Sequence, residues 1–315
     1  MNFIKFVVKK LIHAAVPCLL LFLFLHPAEA LAASKEGLNL WLDTLLPTLL
    51  PFIILTGVLL HTQGTEVLLY PLRPLWAKLF GLSPWGAYAF LLGLLCGYPM
   101  GAKLTCDLYH AGKICKREAH YLLSFCNNPS PGFLIAYLYG TCLGKGTPLG
   151  KIFTILLLAN GFCMVFFRFI VYKNNTISPI MQTKKETSTT PFGEIIDVSI
   201  MNGFETITRL GGYILLFSIL SACISYYWPF SPMKKMILLG ICEVTTGLCG
   251  LASSNLAYSV RLLISMTITA FGGLCILAQT KSVLKKDLSI FPYLMAKLLN
   301  AAVTAILTLV IAKVI

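Results

Sequence analysis

Apolar stretches close to 20 residues long recur from one end of this chain to the other. That is the length an α-helix needs to cross the hydrocarbon core of a bilayer. Composition agrees: 57% of the 315 residues are hydrophobic and only 12% are charged, against roughly 25% charged in a soluble domain. With a mean hydropathy of +0.81, a soluble enzyme, a disordered chain and a secreted disulfide scaffold are excluded. The expected fold is an all-α polytopic membrane protein with about nine membrane-embedded segments.

The net charge of +13 fits basic loops that orient membrane helices and face anionic headgroups. No nucleic-acid motif accompanies it, so no nucleic-acid partner is expected. Most of the 11 cysteines, among them Cys18, Cys96, Cys163, Cys223, Cys249 and Cys275, sit in apolar runs without zinc spacing. They read as small packing residues, and no metal site is expected.

Lys5, Lys9 and Lys10 precede an apolar run, and Ala28-Glu29-Ala30 resembles a cleavage site. An uncleaved helix over about 11–33 is the preferred reading of this signal-like pattern. Leu38, Trp41, Leu42, Leu45 and Leu46 share a helical face, which predicts an interfacial helix over Ser34–Leu46 before a membrane segment Pro47–His61. Residues 62–85 and Thr105–Glu118 read as basic loops, and Ile152–Tyr172 as a span. Lys173–Thr190 is the longest polar stretch and the best linker. Ile196, Ile200, Phe204 and Ile207 then mark a second amphipathic helix, followed by apolar segments Gly212–Trp228, Ile237–Leu251, Ala257–Ala278 and Leu294–Ile315.

The order of elements on the two sides of the linker is alike, which points to two weak internal repeats, 34–172 and 192–315, behind an N-terminal segment 1–33 and around a linker 173–191. Gly93 aligns with Gly240 and Gly132 with Gly272. Two apolar segments of the first repeat are broken, at Gly97–Gly101 and Asn127–Gly132. A break at membrane depth is tolerated only where it is buried in protein or lines a polar cavity. Paired repeats with such breaks are the architecture of many secondary transporters. If Gly86–Leu104 spanned fully, the two basic loops around it would lie on opposite faces, so a re-entrant hairpin is expected there.

Three stretches could carry function. In Gly97-Tyr98-Pro99-Met100-Gly101-Ala102-Lys103, the glycines permit close approach, Pro99 stops a helix, and Lys103 places a cation beside the break. It reads as a gate or a site for an anionic or polar solute, or else as a kink with Lys103 snorkelling. Asn127-Asn128-Pro129-Ser130 offers amide donors and acceptors suited to a sugar, a base or a headgroup, or else caps for the broken helix. Glu243, with Thr245 and Thr246, is a carboxylate in an apolar segment and a candidate for proton or Na+ coupling, with Lys103 as an alternative structural partner. By the repeat alignment it falls beside the Gly97–Gly101 break. Asn160, Asn255, Arg168, Arg209, Arg261 and Lys297 are lesser candidates, and the five histidines show no ligand spacing. No Ser/His/Asp order, P-loop or H-E-x-x-H motif is present, so neither catalysis nor a bound cofactor is expected.

The run Gly93-Leu94-Leu95-Cys96-Gly97-Tyr98-Pro99-Met100-Gly101-Ala102-Lys103, followed by Glu118-Ala119 and Leu122-Leu123-Ser124-Phe125-Cys126-Asn127-Asn128, resembles the YlbJ-type sporulation integral membrane proteins, which contain the nucleoside-recognition, or Gate, domain. The resemblance covers roughly 40–310. It implies a multi-pass protein of a bacterial cell membrane, involved in making the spore cortex, with a transporter-like body. Its partners would be the lipid bilayer, a small polar solute and other sporulation membrane proteins. The alternative is a non-transporting scaffold acting through 62–85 or 173–200.

Overall fold

A computed structural model describes residues 15–61, 76–173, 191–284 and 287–312, and every regular element among them is helical. Five helices are long and apolar enough to cross a membrane, and shorter apolar helices accompany them. The fold is therefore the expected all-α polytopic one. Several boundaries differ from the sequence reading, each for a local reason.

The first helix does not run on through 33. It ends as α1, Ala15–Leu25, because Pro27 supplies no N–H to continue the ladder, and His26 leaves the helical region at φ −131°. Pro27 then starts α2, Pro27–Leu60. Ser34–Leu46 is not a separate interfacial helix but part of this one. A π-helical turn at Leu40–Leu45, where Leu46 N–H donates to Trp41 O, lets the chain pass Pro47 without stopping, and Pro51 lies within the helix beyond it. The 62–85 loop falls mostly outside the described residues, as does the linker 173–191 except at its two ends.

Past Ser83, whose side chain caps the helix by accepting from Gly86 N–H, α3 runs over Pro84–Cys96. The chain then reverses at Gly97-Tyr98-Pro99, and α4, Met100–His110, returns along α3. A helical hairpin thus stands where a re-entrant one was expected. Thr105–His110, read as loop, belongs to it because its apolar side chains Cys106 and Leu108 are buried. Helix α5, Lys116–Leu123, gives way to an unwound stretch, and α6, Pro131–Leu143, resumes beyond Ser130. Leu149–Val171 forms α7.

The second amphipathic segment and the apolar segment after it are one helix, α8, Phe192–Tyr227, of 36 residues. At 1.5 Å per residue it is about 54 Å long. A second hairpin follows: α9, Pro232–Cys242, then Glu243 in extended conformation, then α10, Val244–Ala252. The segment read as a single span at Ala257–Ala278 is two helices, α11 (Tyr258–Phe271) and α12 (Gly273–Val283), separated by Gly272 and Gly273 at positive φ. Helix α13, Phe291–Ala312, closes the described chain.

Two cores hold these pieces. One packs Met100, Leu104, Tyr121, Phe125, Ile207 and Tyr293 around the first hairpin. The other packs Leu138, Ile152, Val244, Leu248 and Met266 around the second. Large apolar side chains remain outside on the long helices, such as Phe162, Phe169, Met201 and Ile306. Helices apolar on both their core and outer faces suit a lipid surrounding.

Candidate functional site

Both hairpins close on glycines. In the first, a methyl group on Gly93 would stand 2.8 Å from Gly101 Cα and would also strike Cys126 O. The unwound stretch after α5 therefore lies directly across the crossing of α3 and α4, and only hydrogen side chains leave it room. In the second, a methyl on Gly247 would overlap Gly240 Cα. Gly93 and Gly240, aligned in sequence, mark the same place in two hairpins.

Each hairpin tip rests on a helix break. Gly97, at φ +84°, faces Ser130, whose N would lie 2.7 Å from a Cβ at this position. Met100 N–H donates to Gly97 O at 2.9 Å and closes the turn, in which the Tyr98–Pro99 peptide is cis. Ser130 caps α6 by accepting from Phe133 N–H at 3.2 Å. In the second half, Gly273 lies against the carbonyls of Gly240, Ile241 and Cys242.

The two tips and the first break line a cavity of about 300 Å³. Gly97, Tyr98 and Pro99 line it from the first tip, Ser130 from the first break, and Glu243 and Thr245 from the second tip. All three stretches singled out in the sequence thus reach one space. Thr44 and Thr48 of α2, Tyr137 of α6 and Gln279 of α12 add to its polar lining, and most of the rest is apolar.

Glu243 is 5% exposed. Its carboxylate caps α10, accepting from Thr245 N–H at 3.1 Å, from Thr246 N–H at 2.7 Å, from Thr246 Oγ1 at 2.8 Å and from the Thr245 hydroxyl. The positive end of a helix dipole and four donors account for a buried carboxylate that has no cationic partner among the described residues. Tyr98 brings a buried hydroxyl with no hydrogen-bond partner among the described residues. A tyrosine and a fixed carboxylate among the lining residues of one largely apolar cavity suit a polar solute.

The other predicted residues lie elsewhere. Lys103 does not pair with Glu243. Its Nζ bonds Asp107 Oδ2 at 2.6 Å and Asn202 Oδ1 at 3.3 Å, because one turn of α4 brings Lys103 and Asp107 together on a side of the helix away from the tip. Gly101 is the packing glycine of the crossing. Thr246 serves Glu243 without lining the cavity. Asn127 ties the first break to α12 by donating to Thr280 Oγ1 at 3.1 Å, and its own Oδ1 is buried without a partner among the described residues. Asn128 donates to Phe125 O at 2.7 Å, capping α5. It lines a second cavity of about 180 Å³ with Asn160 and Asn300.

Two functional candidates were missed or ranked low in the sequence. Gln279 lies just beyond the apolar run that ends at Ala278, and it reaches the main cavity only because α12 starts afresh at Gly273. Lys297 is buried in α13 at 5% exposure, although a lone lysine near the start of an apolar run reads as snorkelling. Among the described residues no group of His, Cys, Asp or Glu side chains could hold a metal ion.

Paired glycine-closed hairpins set on broken helices, within a shell of long apolar helices, define a multi-pass helical membrane protein with a central cavity. Over 93% of its length the chain is 25% identical to the sporulation integral membrane protein YlbJ of Bacillus subtilis (strain 168), covering 81% of that protein. It is a homologue of that membrane protein, in agreement with the YlbJ-type resemblance of its Gly97–Lys103 and Phe125–Asn128 blocks. No family model matches the chain, and no solved structure matches it.

Proposed function

We propose that this chain is a transporter-like protein of the nucleoside-recognition (Gate) type, handling a small polar solute or headgroup in a spore-forming bacterium's cell membrane during spore formation. One observation carries the reading: the tips of two hairpins and the first helix break meet on a single cavity lined by Glu243, whose carboxylate is buried, and by Tyr98, whose hydroxyl has no hydrogen-bond partner among the described residues. In transporters built from paired repeats, discontinuous helices form the substrate site and rocking of one repeat against the other exposes it alternately. The four donors that fix the Glu243 carboxylate suit a group that holds solute as the second tip moves. The sporulation setting comes from the name of the Bacillus subtilis relative. Its partners in this reading are the bilayer, the solute and other sporulation membrane proteins. The reading involves no catalytic step and no cofactor beyond a coupling proton or Na+.

The test is Glu243→Gln, which keeps size and one acceptor oxygen but removes the charge. In a spore former that depends on this protein, sporulation should fail while the protein level in the membrane stays normal. Full sporulation with that variant removes Glu243, and with it this mechanism.

A further inference from the structure

Lys297 is a second buried charge that the cavity does not use. Its ammonium lies 3.4 Å from Ala270 O and 3.4 Å from Asn128 Oδ1. Ala270 belongs to the last turn of α11, whose terminal carbonyls have no intrahelical donors and carry the negative end of the helix dipole. Asn128 belongs to the unwound stretch between α5 and α6, and since its amide nitrogen is held by Phe125 O, its oxygen is the atom offered to Lys297. The rings of Tyr98 and Tyr293 complete the surroundings, with centroids 5.9 and 5.7 Å from Nζ. The titratable groups facing it are those two tyrosines, Cys126 of the unwound stretch and Cys163 of α7. Charged neighbours on the packed helices are engaged elsewhere: Arg261 over Tyr258, Glu118 on Ser83 N–H and His120 on Ser289 N–H. Among the described residues no carboxylate is within ion-pair distance of it.

A helix C-terminus from one half of the molecule and an amide oxygen from the break of the other half therefore converge on one positive charge. In transporters with broken helices, unwound carbonyls and half-helix C-termini coordinate the coupling cation. We propose that the ammonium of Lys297 is a tethered cation that occupies this place between the two breaks, so that no free Na+ binds there. The tether fixes the charge at the α11–α12 and α5–α6 breaks at once. A coupling step at this locus then exchanges a proton between Nζ and water, not a sodium ion. This coupling role rests on the transporter-like reading, but occupancy of the locus does not, and it is read without any solute.

The experiment measures thermal unfolding of the purified full-length chain in detergent, in NaCl, methylammonium chloride or choline chloride at equal ionic strength. The native chain should show no rise in NaCl or methylammonium chloride over choline chloride beyond one that Glu243→Gln removes. Lys297→Ala empties the place, and NaCl or methylammonium chloride should then raise Tm by at least about 2 °C over choline chloride. If the alanine variant does not fold, Lys297→Gln serves, since its amide oxygen adds an acceptor and the same response is expected. A Na+-dependent rise in the native chain that persists in Glu243→Gln overturns the proposal, and so does a folded Lys297 variant indifferent to both small cations. Failure of the Glu243→Gln test with success here leaves the tethered cation standing without a transport role.

Discussion

Gly101 crosses Gly93 so closely that a methyl group on Gly93 would stand 2.8 Å from Gly101 Cα, with Cys126 O against both residues. Three backbone segments meet there: two arms of a hairpin and the unwound stretch that leads to Ser130. The position of the first tip over the cavity depends on this contact. Gly101→Ala should lower stability by about 1–3 kcal/mol, the usual cost of overpacking. A fall in Tm of the purified protein checks it, while Gly161→Ala, at a position with open space, should leave Tm unchanged.

Lys103 and Asp107 form a mostly buried pair, with side chains 7% and 24% exposed. Asp107→Asn leaves the ammonium with weaker acceptors and should cost about 1–3 kcal/mol. Lys103→Met with Asp107→Asn should recover much of that loss, because a neutral pair leaves no unpaired charge. Thermal unfolding of the single and double variants measures the coupling.

Glu118 is 2% exposed and accepts from Ser83 N–H at 2.7 Å. Burial raises its pKa above the ordinary carboxylate value, outweighing the bonds from Ser83 that lower it. The folded state therefore holds this proton more tightly than the unfolded chain does. Its contribution to stability is full below the ordinary carboxylate pKa and is lost as pH rises through the raised value. Glu118→Gln should flatten that part of the Tm–pH curve, and an unchanged slope would assign it to other groups.

The fold class was legible because span length and apolar content follow from bilayer thickness alone. The breaks at Gly97–Gly101 and Asn127–Gly132 were legible because glycine, proline and asparagine interrupt apolar runs in ways that helices in lipid do not tolerate idly. The third break, at Gly272, was hidden. It lies in an apolar run where two adjacent glycines also suit close helix packing, and only their positive φ separates the cases. The long helices α2 and α8 were divided in the sequence by Pro47 and by a change from amphipathic to apolar pattern. A π-helical turn absorbs the first, and packing of α8 along α2 makes the second irrelevant to continuity. The convergence of Gly97–Pro99, Ser130 and Glu243–Thr245 followed from the repeat alignment. The partners of Lys103 and Lys297 did not, because each depends on which side of its helix faces a neighbour.

The capping of α10 gives a separate expectation for Glu243. Glu243→Ala removes acceptors for two backbone N–H groups and should cost about 0.5–2 kcal/mol. Glu243→Asn, with a side chain still able to cap, should cost less in Tm and yet fail in sporulation as completely. Equal sporulation by the two variants and the native chain would make Glu243 a cap and nothing more.

The central claim is that the cavity between the tips holds a polar solute. Its most direct test is ligand-dependent thermal stabilisation of the purified chain in detergent, across nucleosides, peptidoglycan precursors, amino acids and lipids. A binder at 100 times its Kd stabilises by about 2.7 kcal/mol. The account predicts that at least one class raises Tm, and that Glu243→Gln abolishes the rise in a folded protein. A rise that survives Glu243→Gln unchanged, or no rise across the panel from a folded protein, contradicts it.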